Sequence, residues 1–266
     1  MARYKGRRME VFFGLFGTLF LVIILPITAL FSPGYTLLEN MISELGNFQA
    51  KSLFSIGFVI AGSLLIPFYI YLERELVNIK ESIRRLATGI AIITNVCIAL
   101  VGIIPDETYI DAFRIFHTTV ASVSFIGSSV YIVLYSVLMY QGPKSKMYKG
   151  PAFKKYLAYY GFFIGLFMVT YLFIQISILE WILTYFMLGW ILIAAIQSIS
   201  FKFFNIPGMY YKRSHFPEAL RTFEGAIQVL DNLQMMDEPI AKTLQKNIAF
   251  LKSKLNKDEK INSNEE

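Results

Sequence analysis

The sequence is poor in the residues from which most catalytic and metal sites are built: it has one cysteine, Cys97, and two histidines, His117 and His215, in 266 residues. A lone cysteine excludes a disulfide framework or a zinc–thiolate site within one chain. Charge is also missing from mid-membrane depth in every long apolar run. That absence argues against a proton-coupled pump or a charged ion pathway, and leaves room for carriers of neutral or lipidic substrates. No nucleic-acid recognition motif accompanies the net charge of +6. The basic residues are spread over loops between apolar runs, so nucleic acid is not an expected partner.

What the sequence has in abundance is apolar length. Hydrophobic residues make up 55% of the chain and aromatics 16%, with a mean hydropathy of +0.52, too apolar for an ordinary soluble domain. Six runs of about twenty residues follow one another: Val11 to Leu30, Leu53 to Leu72, Ala87 to Ile104, Ile115 to Leu138, Leu157 to Leu179 and Trp181 to Phe203. Each is long enough to cross a bilayer core of about 30 Å as an α-helix. Pro26 and Pro67 fall inside the first and second runs, where a missing backbone donor bends a helix.

Positive charge alternates between the gaps. Arg3, Lys5, Arg7 and Arg8 precede the first run; Arg74, Lys80, Arg84 and Arg85 lie between the second and third; Lys144, Lys146, Lys149, Lys154 and Lys155 lie between the fourth and fifth. The remaining gaps hold only Lys51 and Arg114. Basic loops are retained in the cytoplasm. The expectation is an all-α cell-membrane protein: a six-helix bundle over residues 11–204 behind a basic N-terminus (1–10), with both termini cytoplasmic.

Beyond the sixth run the pattern changes. Ala219, Leu220, Phe223, Ala226, Ile227, Leu230 and Leu233 recur at helical spacing, and after Asp237, Glu238 and Pro239 so do Ile240, Leu244, Ile248, Leu251 and Leu255. These stripes predict a cytoplasmic helical hairpin within residues 205–255 and a charged, disordered tail over 256–266. The stripes must be covered by each other, by the cytoplasmic loops, by the membrane surface, by a second copy of the chain or by a cytoplasmic protein.

The opposite face is acidic. Its loops carry Glu39 and Glu44, then Asp106, Glu107 and Asp111, then Glu180, with His117 near the outer end of the fourth helix. A histidine there needs a partner: it serves either as a helix-end residue bonded to Asp111 or a loop carbonyl, or as a proton shuttle or metal ligand beside the carboxylates. No metal or cofactor motif accompanies it. The fourth run also has a surface of small residues, Thr118, Thr119, Ala121, Ser122, Ser124, Gly127, Ser128 and Ser129, which fits close helix packing. Asn95, Gln175 and Gln197 each require an internal partner.

Three elements on the acidic face carry a resemblance: SPGYTLLENMISELGN in the first outer loop, GIIPDETYIDAFRIFHTTVASVSF from Gly102 to Phe125, and Leu179, Glu180, Trp181 at the opening of the sixth helix. Over about residues 10 to 204 the chain resembles the prokaryotic membrane family catalogued as domain of unknown function nine-nine-eight, and more remotely the Frag1, DRAM and Sfk1 proteins. The resemblance implies a six-helix protein concerned with lipids, with membrane lipids as partners. It associates Ser43, Glu44, Gly46, Pro105, Asp106, His117 and Glu180 with a shared outer site, to which position adds Glu39 and Asp111. It sets aside an alkaline-ceramidase-like metal site, which needs several histidines, and a retinal protein, which needs a mid-membrane lysine. The first functional reading is lipid-headgroup binding or organisation at the outer face. The alternatives are a hydrolase or acyltransferase pairing His117 with Asp106 or Glu44, with Ser43 as nucleophile, and a small transporter of a neutral or lipidic substrate.

Overall fold

The computed structural model describes residues 9–77, 79–104, 111–142, 148, 151, 153–201, 216–234 and 239–262. Among these the regular elements are helices, with no strand. Six helices are long and apolar enough to cross a membrane: α1 (Glu10–Leu30), α2 (Lys51–Glu75), α3 (Glu81–Ile103), α4 (Asp111–Gln141), α5 (Lys155–Ile174) and α6 (Ser177–Ile199). A short 3₁₀ helix, Ile42–Asn47, lies between α1 and α2. The protein is a multi-pass, all-α membrane protein. Two further helices, α7 (Phe216–Asn232) and α8 (Pro239–Asn262), follow, and the chain divides into two compact units, Met1–Phe204 and Asn205–Glu266.

In the first unit the six helices pack in chain order, and α6 returns to pack on α1, closing a ring. Its two ends differ in charge as the loops do. At the basic end the Glu10 carboxylate accepts a hydrogen bond from Arg74 at 2.9 Å, and Arg84 lies 4.0 Å from Glu73. Partly exposed pairs of this kind contribute only ~0–1 kcal/mol each, so cohesion comes from packing. Phe68, Tyr69, Leu72, Tyr131, Tyr135 and Trp190 form a continuous core in the basic half, each almost fully buried. Its phenols are bonded to one another: Tyr69 Oη donates to Tyr131 Oη at 2.8 Å, and Tyr135 Oη lies 2.9 Å from Thr88 Oγ1 and 3.2 Å from the Tyr69 carbonyl. A buried hydroxyl without such a partner is costly.

Helices α2 and α3 touch backbone to backbone. A Cβ added at Gly62 would lie 2.6 Å from the Asn95 carbonyl oxygen and 2.9 Å from the Ala99 nitrogen, and one at Gly102 would lie 2.8 Å from the Ser55 carbonyl oxygen. Only glycine permits that approach. Asn95, fully buried, turns its amide back onto the Ala91 carbonyl at 2.7 Å. Gln197 is used at the basic end, where its Oε1 accepts the Lys154 N–H at 2.9 Å ahead of α5.

Element bounds depart from the sequence reading in several places, among them α3, which opens at Glu81 rather than Ala87. Helix α5 stops at Ile174 rather than Leu179, because Gln175 takes a left-handed conformation (φ 41°, ψ 49°) and caps the Tyr171 carbonyl. That conformation is ordinarily given to glycine or asparagine, so nothing in the apolar string IQISIL announced it. Helix α6 therefore opens at Ser177, and Glu180 sits in its first turn instead of in a loop. Helix α4 starts a turn early, at Asp111, and α8 continues past Asn256 to Asn262.

In the second unit α7 and α8 pack on each other, with a Glu224–Lys252 ion pair at 2.9 Å. Ala241 and Leu251 are buried, and Leu220, Phe223, Ile227, Leu230, Leu244 and Ile248 half-buried, whereas Val229, Leu233 and Ile240 stay exposed.

Candidate functional site

The acidic end is built on the chain leaving α1. Tyr35 folds back so that its hydroxyl lies 3.0 Å from the Met41 carbonyl and 3.2 Å from that of Asn40, while the Trp181 indole N–H donates to the same hydroxyl at 3.0 Å. Burial pushes the Tyr35 phenol above its ordinary range, against the effect of the indole bond, which keeps it a donor to those carbonyls. Glu44 caps the 3₁₀ helix: its carboxylate accepts from the Met41 N–H at 2.9 Å and from the Asn40 amide at 3.0 Å. Ser177 donates to the Glu39 carbonyl at 3.1 Å, and Glu180, only 9% exposed, accepts from the Ile42 N–H at 3.4 Å. The first turn of α6 thus straps the α1–α2 connection over the helix ends.

Beneath this strap is a cavity of about 420 Å³. Ser43 and Glu44 of the 3₁₀ helix, His117 of α4, Gln175 after α5 and Glu180 of α6 border its polar end. Leu65 of α2, Tyr131 of α4, and Met187 and Ile191 of α6 close its other end. From Glu180 to Ile191 the rise along α6 is about 16 Å, and from His117 to Tyr131 along α4 about 21 Å. The cavity therefore descends from the acidic end past the middle of a bilayer core of about 30 Å, and Tyr131 of the phenol cluster borders its floor. Thr118, Ser122 and Ile126 on α4, and Leu172 and Gln175 on α5, border it too and are also exposed on the outside of the ring. A space lined on both lips by outward-exposed residues is open sideways, so the cavity has a lateral mouth between α4 and α5.

His117 is 2% exposed, and its Nδ1 lies 2.6 Å from the Ile104 carbonyl oxygen at the end of α3. A carbonyl can only accept, so Nδ1 carries a proton, and in the neutral ring Nε2 is left as an acceptor. Nε2 has no partner among the described residues.

The structure gathers Ser43, Glu44, His117 and Glu180 around this one cavity. It does not gather the other candidates that it describes. Glu39 is exposed and its side chain accepts from Thr36 at 3.2 Å; Asp111 is exposed and pairs with Arg114 at 2.9 Å, not with His117; Gly46, within the 3₁₀ helix, is buried beside Phe54. Pro105 and Asp106 lie outside the described residues. Ser43 and His117 are not hydrogen-bonded to each other, and among the described residues no group of three or more His, Cys, Asp or Glu could hold a metal ion.

Sequence reasoning missed the cavity and the strap. The small residues of α4 divide in the fold: Gly127 lies against Thr94 of α3, but Thr118, Ala121, Ser122, Ser124 and Ser128 border the cavity. The spacing of His117, Ala121, Ser124, Ser128 and Tyr131, one inward stripe at helical period, was the available signal. Tyr35 carried none: an aromatic in a loop next to a membrane span is ordinary.

No curated protein matches the chain, and no solved structure does. A family model matches residues 15–197, which take in all six spanning helices except the first residues of α1 and the last of α6, together with the strap and the cavity. The chain belongs to the family described as protein of unknown function (DUF998).

Proposed function

We propose that this protein is a lipid-binding protein of the cell membrane, with its acidic end on the extracytoplasmic side and both ends of the six-helix unit in the cytoplasm, and that its cavity receives a lipid from the outer leaflet. The observation that carries the reading is the cavity's polarity gradient. Carboxylates, an imidazole and an amide ring one end, small hydroxyls follow, and Leu65, Met187 and Ile191 line the deep end. Ligand sites are concave, largely apolar and fixed by a few polar groups, commonly 300–1,000 Å³ in volume, and an amphiphile matches this gradient along its own length. The lateral mouth supports it further, because a lipid can enter there without leaving the membrane. The positive-charge alternation supports the orientation.

Mass spectrometry of lipids retained by gently purified protein tests this. The parent should carry a lipid at near one per chain, and Thr184→Trp, which fills the cavity from α6, should carry at least tenfold less while still eluting as a folded species. Equal retention by the two proteins would count against the cavity as the binding place.

A further inference from the structure

The polar end of the cavity has a one-sided chemistry. Its residues include two carboxylates, Glu44 and Glu180, and among the described residues no Lys or Arg borders the cavity anywhere. The two basic residues of the acidic end, Lys51 and Arg114, are both exposed, and Arg114 is held by Asp111. Two donors there are spent on the fold: one Gln175 amide N–H goes to the Leu172 carbonyl at 3.1 Å and the Ser124 hydroxyl to the Ala121 carbonyl at 2.8 Å. Acceptors are left over. Glu44 and Glu180 each use a single oxygen, Oε2, in the bonds described above, which leaves both Oε1 atoms, and His117 Nε2 is buried with no donor among the described residues.

A buried acceptor without a donor costs ~1–3 kcal/mol. Among the described residues His117 Nε2 is one, and beside it two carboxylates with an oxygen to spare call for donors and positive charge from whatever occupies the cavity. A headgroup of net negative charge would set that charge against carboxylates with no cation to offset it. A trimethylated ammonium would bring charge and no N–H.

The volume adds a second limit. About 420 Å³ is room for roughly fourteen groups of water size, and a methylene is of similar size. One alkyl chain therefore fills the space, its head has to lie at the polar rim, and a second chain has no place.

Resting on the lipid-binding reading above, we infer that the ligand is an amphiphile with one acyl or alkyl chain in the cavity and a primary ammonium head, such as a lysophosphatidylethanolamine or a long-chain amine. The ammonium sits at the Glu44, Glu180 and His117 end, where it donates to the leftover acceptors, and the chain runs down toward Leu65 and Ile191.

Native mass spectrometry of the full chain in detergent, with fourteen-carbon lysophospholipids as probes, reads this directly. Probes with ethanolamine, choline and glycerol heads and tetradecylamine are each titrated against the parent, Glu44→Gln and Thr184→Trp. The ethanolamine probe should bind the parent one to one and at least tenfold more tightly than the glycerol probe, with choline between. Glu44→Gln keeps the acceptor that caps Met41 and should bring the ethanolamine and glycerol probes within about threefold. Tetradecylamine binding as tightly as the ethanolamine probe shows that the ammonium alone is recognised; weaker tetradecylamine binding assigns part of the recognition to the phosphate-bearing head. Three lysophospholipids binding equally, all lost in Thr184→Trp, would overturn the ammonium inference and leave the lipid-binding reading standing. No saturable one-to-one adduct with any probe would overturn both.

Discussion

Replacing Gly62 by alanine adds one methyl group at a place with no room for it. The new Cβ would stand 2.6 Å from the Asn95 carbonyl oxygen and 2.9 Å from the Ala99 nitrogen, both backbone atoms of α3, and 3.1 Å from the Ala99 Cβ. Ordinary contact begins near 3.4 Å, so α3 as a whole must retreat by most of an ångström, since neither atom is the end of a flexible side chain. Overpacking of this kind costs ~1–3 kcal/mol, of which the better helix propensity of alanine returns up to ~1 kcal/mol. From the middle of that range a net loss of ~1 kcal/mol remains, which corresponds to a melting temperature lower by ~2–4 °C in a unit of this size. Gly89, on the same helix α3, has nothing within 4 Å of its added Cβ, so Gly89→Ala should melt at or slightly above the parent temperature. Differential scanning fluorimetry of the three proteins in one detergent reads both effects. The displacement has a functional side as well, because Val101 of α3 and Phe58 and Leu65 of α2 border the cavity, and lipid retention should fall with the melting temperature. Gly62→Ala melting together with Gly89→Ala would show that α2 and α3 do not touch at their backbones, and the reasoning would fail.

The strap gives a second expectation: Trp181→Phe keeps the ring and removes the 3.0 Å bond to Tyr35, which should cost ~0.5–1.5 kcal/mol and speed proteolysis between Ser32 and Met41, whereas an unchanged cleavage rate would mean the bond does not hold the loop. On intact cells a cysteine placed at Asn47, which is exposed, should react with an impermeant thiol reagent in a Cys97→Ser background, while one at Ser145 should react only after permeabilisation; the reverse pattern refutes the orientation. In the second unit, changing the half-buried Phe223 and Leu244 together to aspartate should make the region from Tyr211 to Leu255 protease-sensitive without lowering the melting temperature of the six-helix unit, and unaltered resistance would show that α7 and α8 are not held by these side chains.

What the sequence displayed and what it hid follow from different physics. The six spans were legible because a bilayer demands about twenty apolar residues per crossing, and a demand on length and composition is written along the chain. The α5–α6 turn was hidden because Gln175 adopts a glycine-like conformation within an unbroken apolar string, so Glu180 was placed in a loop rather than in the buried first turn of α6. The convergence of Ser43, Glu44, His117 and Glu180 could be proposed from their common membrane face, but Asp111 shares that face and is occupied by Arg114 three residues on. The cavity was least legible of all. Serine and alanine on α4 serve equally to admit a neighbouring helix, as Gly127 does for Thr94, or to border empty space, as Ser124 and Ser128 do, and only the distance to the next helix decides between them.

The account's central claim is that a lipid chain occupies the cavity, and photo-crosslinking tests it most directly. Full-length protein in vesicles containing a lipid with a diazirine near the middle of its chain is irradiated, digested and mapped by mass spectrometry. Label should appear on inward-facing positions along the cavity, such as Ser124 and Ser128 of α4 and Met187 and Ile191 of α6, and should vanish there in Thr184→Trp. Label confined to outward-facing side chains such as Phe116, Leu166 and Phe173, which are 41%, 68% and 84% exposed on the surface of the ring, and unchanged by that substitution, would contradict the claim.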